Sequence, residues 1–416
     1  MIGAILAGRD LDPRIHAAAL RAAPFLAGGD AARAPVKMRV LQAFLDEGIA
    51  ESDLGGTTGY GYDDAARERY ESLLARYFRA EKMLARISLV SGTHAIVAAL
   101  DALVRSGEVL LCANGAPYDT LAYALLGAPH ALSERGVTVT EVPRCADGGV
   151  DAAALRSAVR ERAPAAVFAQ RSRGYAARKA LSIDDIAALV RVVRDAGCAA
   201  PVVIDNCYGE LVEDREPLEA GADVIAGSLI KNVGGGIAPG GAYIGGSAAL
   251  VDRIAARVFA PGIGAALGPT LGLGRQFVQG FFYAPAVVGE SLRGLDFLAA
   301  LFRELGFPVD PAPGAARADV VQAIRLGTPE RLAAFARGLQ RALPVNAHFA
   351  PVPGTVPGYV DPVIMSGGAF VSGSTIDLSC DAPLREPFEM YVQGGIMREH
   401  VALGAVLAAA EVLQTA

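Results

Sequence analysis

The stretch Gly227-Ser228-Leu229-Ile230-Lys231-Asn232-Val233-Gly234-Gly235-Gly236 decides how the chain is read. It follows the apolar run Ala222-Asp223-Val224-Ile225-Ala226, bounded by glycines, which has the length and composition of a buried strand. Lys231 therefore falls just past a strand end, where open α/β sheets bind their ligands. Behind it comes backbone nearly stripped of side chains, which suits an amine held close to a bulky planar ligand. The run is not a phosphate loop of the GxxxxGK[ST] kind, because its glycines follow the lysine. It is not a dinucleotide fingerprint either, since no strand–GxGxxG–helix unit with a later acid is present. Upstream, Pro201-Val202-Val203-Ile204-Asp205-Asn206-Cys207-Tyr208-Gly209-Glu210 repeats the pattern, an apolar run ending in an acid. A carboxylate at a buried strand end is costly unless it meets a charge or a donor.

Outward from these two runs, strands and helices alternate. Strands are expected at 109–113, 138–142, 165–170 and 242–245, and helices at 65–82, 151–159 and from Ser182 to Ala196. That alternation predicts a parallel, helix-covered sheet. Ser91-Gly92-Thr93-His94-Ala95 opens a helix after a short apolar run, and free amides at a helix start beside a glycine make an anion site. His94 reads as a packing or hydrogen-bonding residue. The glycine-rich loop 55–64 carries Tyr60 and Tyr62, and Tyr118 falls at a strand-to-helix turn. Arg171 and Arg173 follow a third strand, where two guanidinium groups can hold carboxylate or phosphate. Beyond about residue 280 the pattern changes. A long helix at 284–305 leads to a strand at 319–324, a helix at 330–342, a strand at 375–379 and a last helix at 399–413.

A pyridinium nitrogen is one partner that would suit Asp205, and strand–Asp followed by strand–Ser-x-x-Lys is a layout of pyridoxal-phosphate enzymes. The chain resembles the methionine γ-lyase-like family of aluminium-resistance proteins, relatives of the cystathionine lyases. The residues that carry the resemblance are Thr57–Asp63, Val90–Ala95, Pro117–Leu121, Gln170–Tyr175, the Lys231 stretch and Leu378–Arg385, in the family's order over nearly the whole chain. The resemblance implies an α/β architecture of the aspartate aminotransferase type, fold type I. Its parts would be an amino-terminal helical segment (1–50) that packs on a neighbouring subunit, a large cofactor domain (51–284) with a mostly parallel sheet, and a smaller α+β domain (285–416). It implies pyridoxal 5'-phosphate as cofactor, carried by Lys231, which also moves the α-proton, with Asp205 on the ring nitrogen. Ser91, Gly92, Thr93 and Ser228 would bind the phosphate, Tyr118 would stack on the ring and assist the leaving group, and Tyr60 would reach the cofactor across a dimer interface. Tyr62, Arg173 and Arg385 are the substrate-binding candidates. Three positions depart from the family: Tyr62 where relatives carry arginine, Val233 where they carry proline, and Arg398 where they carry tyrosine.

The implied reaction is elimination of a γ- or β-substituent from an amino acid. The residues leave open replacement at the γ-carbon, a halide or activated oxygen as leaving group, and a non-catalytic pyridoxal-binding protein. Composition narrows the class. With 52% hydrophobic and 20% charged residues, the chain has the make-up of a well-buried globular enzyme of 416 residues. A net charge of −6 without a basic run argues against nucleic acid. No segment is apolar for long enough to predict a membrane span, and the amino terminus lacks a secretory pattern. Five cysteines without CxxC or metal-type spacing read as reduced, cytoplasmic thiols with no metal site, and the family resemblance implies a homo-oligomer, a dimer or tetramer.

Overall fold

Each central strand is a short apolar run that is buried on both faces, and this makes an internal, mostly parallel sheet favourable. In a computed structural model, which describes residues 1–27, 31–176 and 178–415, the chain divides into two compact units. One is Pro35–Phe282; the other joins Met1–Ala34 to Tyr283–Ala416.

The first unit contains β1 (Lys82–Arg86), β2 (Val109–Cys112), β3 (Thr138–Glu141), β4 (Ala166–Gln170), β5 (Val202–Asp205), β6 (Val224–Ser228) and β7 (Ala242–Gly246). They form one sheet in the order β1-β7-β6-β5-β4-β2-β3. The five strands from β6 to β3 run parallel, and β7 is antiparallel to both β6 and β1. Helices Gly92–Leu103 and Ala248–Val258 bury Ile96, Leu100, Val251 and Ile254 against Leu84, Leu110, Phe168, Val203 and Ile244 of the sheet. Helix Ile183–Asp195 starts with a capping box in which Ser182 and Asp185 satisfy each other's backbone amides.

The expected helix over 65–82 stops at Phe78, because Arg79 adopts φ 58° and closes it. The chain then enters β1, which the sequence did not reveal: Lys-Met-Leu-Ala-Arg has no alternation, and its partner β7 comes more than 150 residues later. The helix expected at 284–305 begins at Gly274 and passes through Pro285.

In the second unit β8 (Val309–Asp310), β9 (Val321–Arg325), β10 (Val363–Gly367), β11 (Ser379–Pro383) and β12 (Glu389–Gln393) form an antiparallel sheet in the order β10-β11-β12-β9-β8. Helices Pro329–Gln340 and Arg398–Gln414 pack on each other where Gly338 leaves room: a Cβ there would lie 2.5 Å from the Ala408 Cα. The strand expected at 375–379 is corrected. Thr375–Asp377 is a 3-10 turn, Leu378 takes φ 111°, and the strand starts at Ser379.

Candidate functional site

Parallel neighbours end on the same side of a sheet, so β5 and β6 deliver their last side chains together. Asp205 closes β5 in register with Ala226, two residues before Ser228 closes β6. A tight turn then places Lys231 at the head of the 3-10 turn Asn232–Gly234. The Asn232 amide anchors that turn by donating to the carbonyls of Tyr208 and Glu210 at 3.0 and 2.9 Å. Lys231 Nζ lies 3.9 Å from the centroid of the Tyr208 ring, a cation–π arrangement, and Tyr208 holds φ 70° to present it.

Asp205 is buried and accepts a hydrogen bond from the Cys207 amide at 3.1 Å. Burial raises its pKa, and Lys231, the Cys207 hydrogen bonds and Arg178 pull against that. For Lys231, burial opposes the charged form, but the groups around it, Asp205 among them, outweigh it and hold the ammonium above the ordinary lysine range.

The start of helix Gly92–Leu103 meets the same edge. Ser91 caps it, its hydroxyl accepting from the His94 amide at 3.1 Å. A Cβ on Gly92 would lie 3.2 Å from Cys207 Sγ and 3.4 Å from Ser228 Cβ, a tight fit that a side chain could enter only if these neighbours gave way by a few tenths of an ångström. The first amides of a helix have no intrahelical partner. With the Ser228 hydroxyl at the neighbouring strand end, they fit a phosphate group.

Tyr118 joins from the turn after β2. Its hydroxyl is 3.0 Å from Thr93 Oγ1, and its amide donates to Gln170 Oε1 at 3.2 Å. Burial, with Asp205 and Cys207 nearby, pushes the phenol well above its usual pKa, so it stays protonated. Gln170 is pinned in turn by Asn114 and by Arg178, whose guanidinium also donates to the carbonyls of Arg173 and Ala116. Arg178 is buried, and burial, with Arg144 close by, lowers its pKa to about 10.

The fold separates the two arginines after β4. Arg171 is fully buried and committed to Asn206 (2.8 Å), Glu213 (2.9 Å) and Glu216 (3.4 Å). Arg173 is also buried and donates to the Ala176 carbonyl at 3.5 Å. Tyr60 and Tyr62 project outward, 76% and 60% exposed, with ring centroids 6.2 Å apart. His94 accepts the Val90 amide at 3.3 Å through Nδ1. Arg385 belongs to the second unit, in the turn after β11, paired with Asp361 at 3.2 Å. Arg398, in that same unit, is bound through Nε to Glu290 at 2.7 Å and through Nη1 to the Leu26 carbonyl at 3.0 Å.

Sequence reasoning gave no part to Tyr208, Gln170 or Arg178. Tyr208 lay inside a quoted stretch but carried no distinguishing signal, and Arg178 reads as an ordinary loop arginine. Their roles come from contacts across the sheet edge.

A lysine and an aspartate on adjacent parallel strand ends, facing a glycine-opened helix start, define a fold-type-I pyridoxal-phosphate enzyme. The chain belongs to the methionine γ-lyase family: the family model described as methionine gamma-lyase matches residues 16–413. It is 41% identical over 367 residues to the uncharacterized protein YnbB of Bacillus subtilis (strain 168), covering 87% of each chain. A carbon-sulfur lyase involved in aluminum resistance from Clostridium novyi NT superposes with a TM-score of 0.90 at 35% identity, covering 97% of this chain and 96% of that one. The fold alone is shared with the pyridoxal-5'-phosphate dependent protein YhfS from Escherichia coli, at a TM-score of 0.62 and 19% identity, covering 92% and 96%.

Proposed function

We propose that the chain is a pyridoxal-phosphate-dependent carbon–sulfur lyase that eliminates a γ- or β-substituent from an amino acid. The supporting observation is the convergence of Lys231, Asp205 and the Gly92 helix start on one sheet edge. The helix amides at Ser91–Thr93 and the Ser228 hydroxyl would hold the phosphate, and Asp205 would hold a proton on the ring nitrogen. When bound, pyridoxal phosphate supplies an electron sink conjugated to the substrate α-carbon.

The chain's own groups do the rest. Lys231 carries the cofactor and, as a free amine, takes the proton from the α-carbon. For loss of a γ-substituent a second proton must leave the β-carbon, and a flexible amine can reach both. Tyr118 keeps its proton and so can donate toward the departing sulfur, oriented by Thr93 and Gln170. Either Arg173 or Arg385 is the guanidinium group proposed for the substrate carboxylate. Tyr60 and Tyr62, exposed on their own protomer, suit contacts made to a second copy, in a homodimer or a tetramer of dimers.

The test is a visible absorbance spectrum of the purified protein with pyridoxal 5'-phosphate. The wild type is expected to show the band of lysine-bound cofactor and Lys231→Ala to lack it. Cystathionine, methionine, homocysteine, O-acetylhomoserine and a γ-halo amino acid are then added in turn, and the one that releases a keto acid identifies the leaving group. A wild type that takes up no cofactor overturns the proposal.

A further inference from the structure

Two fully buried acids, Glu210 and Glu216, follow Asp205 in the chain, and they are provided for very differently. Glu216 accepts from the Leu211 amide at 2.9 Å, from Tyr77 Oη and Asn206 Nδ2 at 3.1 Å each, and faces Arg171 at 3.4 Å. Glu210 Oε1 accepts from Tyr243 Oη at 2.8 Å, but no donor among the described residues reaches Oε2. Oδ1 of Asn232, the residue after Lys231, is likewise a buried acceptor that no donor among the described residues reaches. The two residues are neighbours through the backbone, since Asn232 Nδ2 donates to the main-chain carbonyl of Glu210 at 2.9 Å. A buried acceptor with no donor is costly, and a single proton placed on one of two such acceptors makes it a donor to the other.

We infer that Glu210 is a positioning residue held as a neutral carboxylic acid, its Oε2–H donating to Asn232 Oδ1 and so fixing the turn that presents Lys231. The groups around Glu210 agree with this. Burial pushes its carboxyl up to about 8 and Glu216 adds to the rise, while its own backbone amide, the Tyr243 hydrogen bond and Lys231 oppose it. The Cys207 thiol, which also feels Glu210, is itself held protonated by burial. Neutrality has a chemical consequence. An ionised Glu210 would give Lys231 a second counter-charge beside Asp205 and stabilise its ammonium, whereas the proposed role of Lys231 requires the free amine. The inference rests on that reading of Lys231.

The experiment compares wild type, Glu210→Gln and Asn232→Ala at about pH 7. In the wild type minus Glu210→Gln infrared difference spectrum, a carboxylic-acid carbonyl stretch is expected in the wild type and absent from the variant. Glutamine supplies an N–H in place of the O–H, so cofactor affinity should stay within about threefold of wild type. Asn232→Ala removes both the acceptor and the two carbonyl anchors, and should weaken cofactor binding by about tenfold or more. Absence of the carbonyl band overturns the inference. So does a Glu210→Gln protein that fails to fold, because glutamine keeps the shape and neutrality of the acid. If the wild type binds no cofactor but shows the band, the reading of Lys231 fails while the proton on Glu210 stands.

Discussion

Asp64 closes the loop that carries Tyr60 and Tyr62, and its replacement by alanine has a magnitude that can be worked from its contacts. The side chain is fully buried and caps helix Ala65–Phe78. Oδ1 accepts from the Arg67 amide at 2.9 Å and from Thr270 Oγ1 at 3.0 Å. Oδ2 accepts from the amides of Thr57 and Thr270 at 2.8 Å each and from Thr57 Oγ1 at 2.7 Å. Burial alone would raise the carboxyl, but these donors outweigh it and hold the pKa at about 2 instead of 3.8. That difference corresponds to roughly 2.5 kcal/mol of stability. Asp64→Ala also leaves three backbone amides without their acceptor and removes a helix cap, so the expected loss is about 3–5 kcal/mol. Because the folded pKa is depressed, the ionic contribution is complete above about pH 4 and is lost as pH falls through about 2. Urea unfolding at neutral pH should show a lower midpoint for Asp64→Ala at an unchanged slope, and the wild-type advantage should shrink on acidification through that window. A neutral-pH difference below about 1 kcal/mol, or a gap that does not narrow in acid, would refute the reasoning.

Two further predictions concern the frame of the site. Gly227 pairs with Tyr243 across β6 and β7, and a Cβ there would come within 2.5 Å of Tyr243 Oη. The Tyr243 ring is fully buried and stacks on Phe78 at 5.3 Å, so it has no room to move aside. Gly227→Ala should cost about 1–3 kcal/mol of stability and weaken cofactor uptake, read by urea unfolding and absorbance; wild-type values for both would contradict the packing argument. Arg171→Met leaves the buried Glu216 without its cation and should destabilise by about 3–5 kcal/mol, with Glu216→Gln in the same chain restoring part of the loss. Calorimetry that finds the single variant as stable as wild type would show that the Arg171 network contributes little.

What the sequence determined by itself was local. The apolar runs before Asp205 and Ser228 are buried strands, because each is a short run of mostly β-branched and small residues that can pack on both faces. The residues at their ends therefore had to fall on one edge of an α/β sheet. Ser91-Gly92-Thr93 was legible as a helix start for the same reason, since a serine cap and a glycine before an apolar helix form a local signal. The tertiary structure decided the rest. It set the strand order, brought β1 beside β7, and ended the helix at Phe78 with a left-handed Arg79. It committed Arg171 to Asn206, Glu213 and Glu216 while burying Arg173 and Arg178 among backbone carbonyls, although nothing local separates these arginines. It left Glu210 Oε2 and Asn232 Oδ1 as buried acceptors on two residues joined through the Glu210 main-chain carbonyl. Periodicity records which face of an element is apolar. It holds no record of which donor a buried side chain will meet, because that partner is chosen by chain segments far away in sequence, and the cost of burying an unpaired polar group is what selects it.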